Sequence, residues 1–259
     1  MPGSQYSPEY NNHASPAILG TKVVHGITFA EKVFQITKVL AYFCGSVLFL
    51  FGSVLFLPKY ATLWDGQGAV VGSWVFFFGC ICFMIGTNAD FIDLIRYSNG
   101  TTTRRIVDAY IGLLYVAAGG IFQLGALYFL PDYYVTAPSL GCWSFLIGSI
   151  MFCMASLWDV VNITITHDDP KKSGVQLSNL YCWGTLVAIG CFAGAMCFII
   201  GSWFYLPKFI AVEDADYALH YMNKAITSYI VGSVFFVINA LAQIPGLQAK
   251  LSQKASLPK

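Results

Sequence analysis

The strongest constraint on this chain is where its charges are missing. No Asp, Glu, Lys or Arg lies between Lys38 and Lys59, Asp65 and Asp90, Asp108 and Asp132, Asp132 and Asp159, Lys172 and Lys208, or Lys224 and Lys250. A helix needs about 20 mostly apolar residues to cross the hydrocarbon core of a bilayer. Six windows of that size predict six transmembrane helices, over about 39–57, 69–89, 109–130, 140–158, 180–206 and 225–244. A soluble bundle would need charged outer faces on the same segments. With 10% charged residues, against about 25% in an ordinary soluble domain, the chain has too few to supply them.

The windows are built on a repeat. Gly52-Ser-Val-Leu-Phe-Leu-Pro58 returns as Gly125-Ala-Leu-Tyr-Phe-Leu-Pro131 and as Gly201-Ser-Trp-Phe-Tyr-Leu-Pro207. A second phrase lies between the copies: Gly79-Cys-Ile-Cys-Phe83, Gly148-Ser-Ile-Met-Phe152 and Gly232-Ser-Val-Phe-Phe236. One unit of two apolar segments is therefore used three times. The expected fold is an all-α membrane protein with six transmembrane helices as three parallel helical-hairpin repeats, at 39–95, 109–160 and 180–245. A two-helix unit returns to its starting side, so the repeats are parallel rather than inverted as in many carriers. Each proline stops an odd helix, because it has no N–H to continue the ladder. Tyr60, Trp64, Tyr133, Tyr134 and Phe209 follow the prolines, and Trp74 and Trp143 open even helices, which is the pattern of an interfacial aromatic belt.

Outside the hairpins, residues 1–20 read as a disordered tail and 246–259 as a second tail. Residues 21–38 read as an interfacial amphipathic helix leading into the membrane. With six spans, Lys22, Lys32, Lys38, Arg96, Arg104, Arg105, Lys171, Lys172, Lys250, Lys254 and Lys259 share one side, against Lys59, Lys208 and Lys224 on the other. That bias predicts that both termini are cytoplasmic, in a plasma membrane or endomembrane that the sequence does not distinguish. The sequons at Asn99 and Asn162 would then stay unglycosylated. No signal peptide opens the chain, so the first span is expected to direct insertion. The longest outer loop, 208–224, is acidic and is the best candidate for an exposed recognition loop.

Within the spans, small residues recur every seven positions. Gly45 and Gly52, Gly72 and Gly79, and Gly194 and Gly201 are such pairs; Gly125, Gly148 and Gly232 head the same stripes. In lipid, helices gain little from burying apolar surface against each other, and small residues let their backbones approach. These glycines are therefore assigned to helix packing, with a glycine-lined pore as the competing reading. Gln123, Asn239, Tyr42, Tyr115, Thr185 and Thr227 are the polar side chains that remain in the spans, beside scattered serines, and the first two stand out. They are expected to bond across helices, and they form the candidate intramembrane polar site. All eight cysteines fall in or beside apolar runs and read as packing residues, not a disulfide framework.

Little here supports catalysis. The histidines, His13, His25, His167 and His220, are scattered, and two can share a metal only if His25 and His167 meet. No metalloprotease, P-loop or nucleophile-elbow motif is present. Asp90, Asp93, Asp159, His167, Asp168 and Asp169 are the only raw material for an enzyme, and Asp93 is spaced to pair with Arg96. The expectation is a non-enzymatic protein without catalytic residues, cofactor or metal. It would sit in the lipid bilayer and organise or bind membrane-protein partners or itself. The alternative is a small channel or transporter formed by the hairpin ring or its oligomer. Net charge is +1, so no strong field favours nucleic acid, and none is expected as a partner.

The phrases also carry a resemblance. Phe51-Gly52-Ser53, Phe56, Pro58, Trp74, Phe78-Gly79 and Phe83 are similar to the YrhK-like domain, a small two-helix membrane domain best known as a single bacterial unit. Gly125, Phe129, Pro131, Trp143, Phe145, Gly148-Ser149 and Phe152 repeat the pattern. So do Gly201-Ser202, Pro207, Gly232-Ser233 and Phe236, without a tryptophan at the start of the second helix. The resemblance implies three tandem copies over about 40–244, and brings no catalytic residues.

Overall fold

The computed structural model describes residues 28–97, 102–165 and 174–252. The expected N-terminal tail, Asn99, His13, His25, His167, Asp168 and Asp169 lie outside the described residues. Among the described residues, six helices are long and apolar enough to cross a membrane. They are α1 (Phe29–Leu55), α4 (Gly68–Tyr97), α5 (Thr102–Tyr128), α7 (Pro138–Ile165), α8 (Trp183–Phe204) and α10 (Ala215–Ala242). The turns between partners hold short helices: α2 (Pro58–Ala61), α3 (Leu63–Gly66), α6 (Pro131–Tyr134) and α9 (Pro207–Ile210). Each repeat proline is the first residue of such a helix, where its missing N–H costs nothing. A final helix, α11 (Ile244–Leu251), follows α10.

Two boundaries differ from expectation. The interfacial helix expected over 21–38 is, from Phe29 onward, part of one continuous helix with the first span. Thr28 caps it by accepting from the Glu31 N–H at 3.2 Å, and Gln35 and Lys38 are buried rather than laid on a surface. The outer loop expected over 208–224 is much shorter. Asp214 accepts from the N–H groups of Asp216 and Tyr217 at 3.1 and 3.0 Å, which starts α10 at Ala215, well before Lys224.

The helices form a closed ring. Within hairpins α1 packs on α4, α5 on α7 and α8 on α10; between them α4 packs on α5, α7 on α8, and α10 returns to α1. The repeat glycines make the within-hairpin contacts close. A Cβ on Gly45 would stand 3.0 Å from the Gly79 carbonyl, and one on Gly232 2.9 Å from the Gly194 carbonyl and 2.7 Å from the Phe198 ring. Each such glycine receives an aromatic ring or backbone from the partner helix. Gly120, by contrast, faces open space. Gly232→Ala is accordingly expected to cost about 1–2 kcal/mol through overpacking, while Gly120→Ala should be neutral or slightly stabilising; thermal unfolding of the two variants in detergent checks this.

Aromatic rings fill the axis of the ring. Phe49, Phe122 and Phe198, each three residues before its repeat glycine, form a triangle with centroids 6.4, 6.0 and 5.7 Å apart. Phe76, Phe145 and Tyr229 form a second triangle toward the turns, at 5.4 to 6.5 Å. Phe83, Phe152 and Phe236 form the third layer toward the termini. Within each hairpin the middle ring touches both others: Phe49 lies 4.7 Å from Phe76 and 4.9 Å from Phe83. Phe122 and Phe198 repeat that arrangement at 5.0 to 5.4 Å. The outer faces are apolar instead of charged: α4 alone exposes Val71, Trp74, Phe78, Ile85 and Ile92 at helical spacing. Patches of this kind on a soluble monomer would drive association, whereas acyl chains accept them. All eight cysteines are free thiols.

Candidate functional site

Below the third aromatic layer the three hairpins stop being alike, and the polar chemistry of the described chain collects there. In the first hairpin, Tyr42 on α1 donates its OH to Asp90 Oδ2 on α4 at 2.7 Å. The second hairpin repeats the pair: Tyr115 OH on α5 donates to Asp159 Oδ2 on α7 at 2.6 Å. In the third, Cys191 stands where the tyrosines stand and Gln243 where the aspartates stand. Asn239 bonds across helices there, its Nδ2 donating to the Val187 carbonyl on α8 while its Oδ1 accepts from Gln243 Nε2.

One step nearer the termini the first hairpin holds an ion network. Lys38 Nζ lies 2.7 Å from Asp93 Oδ2 and 3.0 Å from Asp90 Oδ1. Gln35 Nε2 donates to both oxygens of Asp93, at 2.9 and 2.8 Å. From α11, Lys250 Nζ reaches Gln35 Oε1 at 3.1 Å and stands 3.7 Å from Asp93. The Asp93 side chain is fully buried and that of Lys38 nearly so. The network ties the first helix of the ring to its partner and to the helix that follows the last span. The pairing of Asp93 with Arg96 expected from their spacing does not form. Asp93 faces into the bundle toward Lys38, and Arg96 lies over the Phe34 ring, 5.5 Å from its centroid.

A cavity of about 80 Å³ lies between these groups. Its floor is the third aromatic layer, through Phe83 and Phe152; all six long helices contribute to its wall. Asp90, Asp108 and Asp159 line it, with Asn239 and Gln243, and among the described residues no Lys, Arg or His does. The space exists where the third hairpin places Cys191 in the position of a tyrosine. Asp159 is 9% exposed; its Oδ1 is buried and has no hydrogen-bond partner among the described residues. Such an arrangement can hold a cation or a hydrogen-bond donor. No group of three or more His, Cys, Asp or Glu among the described residues is set to hold a metal ion.

The two polar residues picked out in the spans part company. Asn239 belongs to this cavity. Gln123 lies higher on α5, half-buried, with its Oε1 buried and unpartnered, and nothing in the structure explains that oxygen. Asn162 is a buried residue of α7, so its sequon is inaccessible to a glycosylating enzyme. The Lys38 network and the tyrosine–aspartate pairs were missed by sequence reasoning. Their signal was present: Tyr42 and Tyr115 stand seven residues before Phe49 and Phe122, and Asp90 and Asp159 seven after Phe83 and Phe152. Two antiparallel helices bring those positions to one level.

Three antiparallel hairpins closed around an aromatic axis, with apolar outer faces, define a multi-pass integral membrane protein. The chain belongs to the YrhK-like protein family, whose model matches it three times, over residues 32–95, 105–163 and 182–245. No curated protein and no solved structure matches it at a significant level.

Proposed function

We propose that this protein is a non-enzymatic membrane component that binds or organises partners within the bilayer, with both termini in the cytoplasm. The observation that carries the reading is the filled axis. A conduit along the ring would have to pass three successive layers of aromatic rings, whose members sit as close as side chains in a protein interior. Conduction through the ring, the competing reading, would have to cross those layers, because the polar cavity lies wholly on one side of them, below Phe83 and Phe152. What remains available to other molecules is the apolar, aromatic outer surface, which suits lateral association with helices of other proteins or of a second copy. The cytoplasmic placement of the termini rests on the lysine and arginine bias between the two sides.

Purified protein in liposomes loaded with K⁺, Na⁺ or Cl⁻ should give no flux above protein-free liposomes. Site-directed crosslinking in native membranes, from Phe78 or Met154 on the outer face, should give discrete adducts with a protein partner or a second copy. Ion flux that saturates with substrate, together with an uncrosslinked monomer, would sink the proposal.

A further inference from the structure

The three hairpins are copies of one pattern, so a position where one copy departs from it is informative. On α5 the second copy departs twice. Counted from the repeat glycines, Gly120 stands where the first and third hairpins have Val47 and Met196, and Gln123 where they have Leu50 and Ile199. The ring uses neither change. A Cβ on Gly120 would meet nothing within 4 Å, whereas the glycines of the packing stripes meet a ring or backbone. Gln123 makes no hydrogen bond to any described residue. It directly follows Phe122, so it is level with the middle of the three aromatic layers. An amide without a partner is costly in hydrocarbon, where no water stands in for one. Its Oε1 is enclosed, but its Nε2 is not, and the residue keeps part of its surface open. The unmet donor is therefore within reach of a neighbouring molecule. Beside it Leu113, Ala117, Gly120 and Leu124 are all exposed, at spacings of four, three and four. That is the seam of a left-handed helix pair, with its two smallest residues in the middle.

The ring itself shows what such an amide does when a helix is beside it. Asn239 on α10 lies against Gly190 of α8, whose added Cβ would stand 3.1 Å from the Asn239 Cβ, and its Nδ2 donates to the Val187 carbonyl one turn away. Carboxamide, glycine and an uncovered carbonyl make one contact. The α5 face carries the carboxamide and the glycine together, three residues apart. A helix that both supplies the amide and admits one is α5 again. We propose that two copies of the chain pair through their α5 faces, about a two-fold axis normal to the membrane. Gln123 of each copy donates to the backbone of the other beside its Gly120. One patch meets itself in such an interface, so both donors are met at once. An acyl chain on the same face would leave them unmet. The inference names the partner in the lateral association proposed above and rests on that reading.

The test uses the full chain with donor or acceptor fluorophores fused at the C-terminus, in phosphatidylcholine liposomes over a range of protein densities. Energy transfer should rise saturably with density. Gly120→Ile should abolish it, because a branched side chain blocks the approach. The same side chain enters open space in the single copy, so thermal unfolding of that variant in detergent should match the wild type. Gln123→Leu, the residue of the first copy, should weaken association about tenfold through loss of two interhelical hydrogen bonds. Met196→Ile, at the matching exposed position of α8, should change nothing. A photocrosslinker at Leu124 should give a homodimer, and one at its counterpart Ile200 should not. A protein that stays monomeric at every density, or association unmoved by either Gly120→Ile or Gln123→Leu, overturns the pairing. The two readings fail separately. Adducts from Phe78 to a different protein, with purified chains monomeric, keep the partner-binding role and sink the pairing; saturable ion flux through an intact pair does the reverse.

Discussion

Lys38→Met is expected to destabilise the protein by about 3–5 kcal/mol, because it strips the cation from two carboxylates at once. Asp93 has no exposed side-chain surface, and its remaining contacts would be two hydrogen bonds from Gln35 and a cation 3.7 Å away on Lys250. Lys250 softens the loss and places the expected effect at the lower end of the range. Asp90 would keep only the hydroxyl of Tyr42. The physical content lies in the rescue. Replacing the whole network with Lys38→Met, Asp90→Asn and Asp93→Asn removes the uncompensated charge along with the pair, and most of the lost stability should return. The coupling between the lysine and aspartate changes should exceed about 1 kcal/mol, well outside the error of additivity for separate sites. Arg96→Met is the control, since Arg96 rests on a ring and meets no carboxylate among the described residues. Denaturant unfolding in a fixed micelle system measures all of these. A triple variant no more stable than Lys38→Met would show that burial of the charge is not what matters.

The same lysine marks how far the sequence could be read. Spans were legible because bilayer thickness sets their length and a charge in lipid is costly, so charge-free runs announce themselves. That rule also misplaced the first boundary. Lys38 looks like the edge of the membrane, yet it is an internal residue of α1 whose charge is met by carboxylates on the partner helix, far away in the sequence. A partner on another helix is invisible to a window slid along one. The repeat phrase made the hairpins legible, and the seven-residue spacing made glycine packing the natural assignment. Ring closure was not legible, because nothing in a hairpin's own pattern states which neighbour its outer face meets. The cavity was not legible as a space, although the repeat aligns Gln243 of the third copy with Asp90 and Asp159 of the first two. That Cys191 replaces a tyrosine at the same level needed the antiparallel register to be known. The enlarged acidic loop dissolved for a local reason, the cap supplied by Asp214.

The aromatic axis makes the other large prediction. Phe49 is fully buried and touches five rings, with centroids from 4.7 to 6.4 Å: Phe76 and Phe83 in its own hairpin, Phe122 and Phe198 in its layer, and Phe236 across the axis. Phe49→Ala should cost about 3 kcal/mol, toward the low end of aromatic truncations in soluble cores. The reduction has a cause. In a bilayer the exposed alternative for a phenylalanine is lipid, as apolar as the core, so the transfer component of the penalty shrinks and the lost packing remains. Phe78 supplies the internal comparison: it is a phenylalanine on the lipid-facing side of α4, about half exposed. If burial from water governed stability, the two truncations would differ in proportion to exposure alone. If ring-to-ring packing governs it, Phe49→Ala should be severe, Phe49→Leu intermediate, and Phe78→Ala within about 0.5 kcal/mol of wild type, as for surface substitutions generally. Thermal unfolding in micelles and in nanodiscs should rank the three variants identically. The Phe49→Ala protein should also remain closed to ions in liposomes, because the layers of Phe76 and Phe83 still stand on either side of the gap. Equal loss of stability in Phe49→Ala and Phe78→Ala would mean that the helices, through their glycine contacts, hold the ring and the aromatic axis merely fills it.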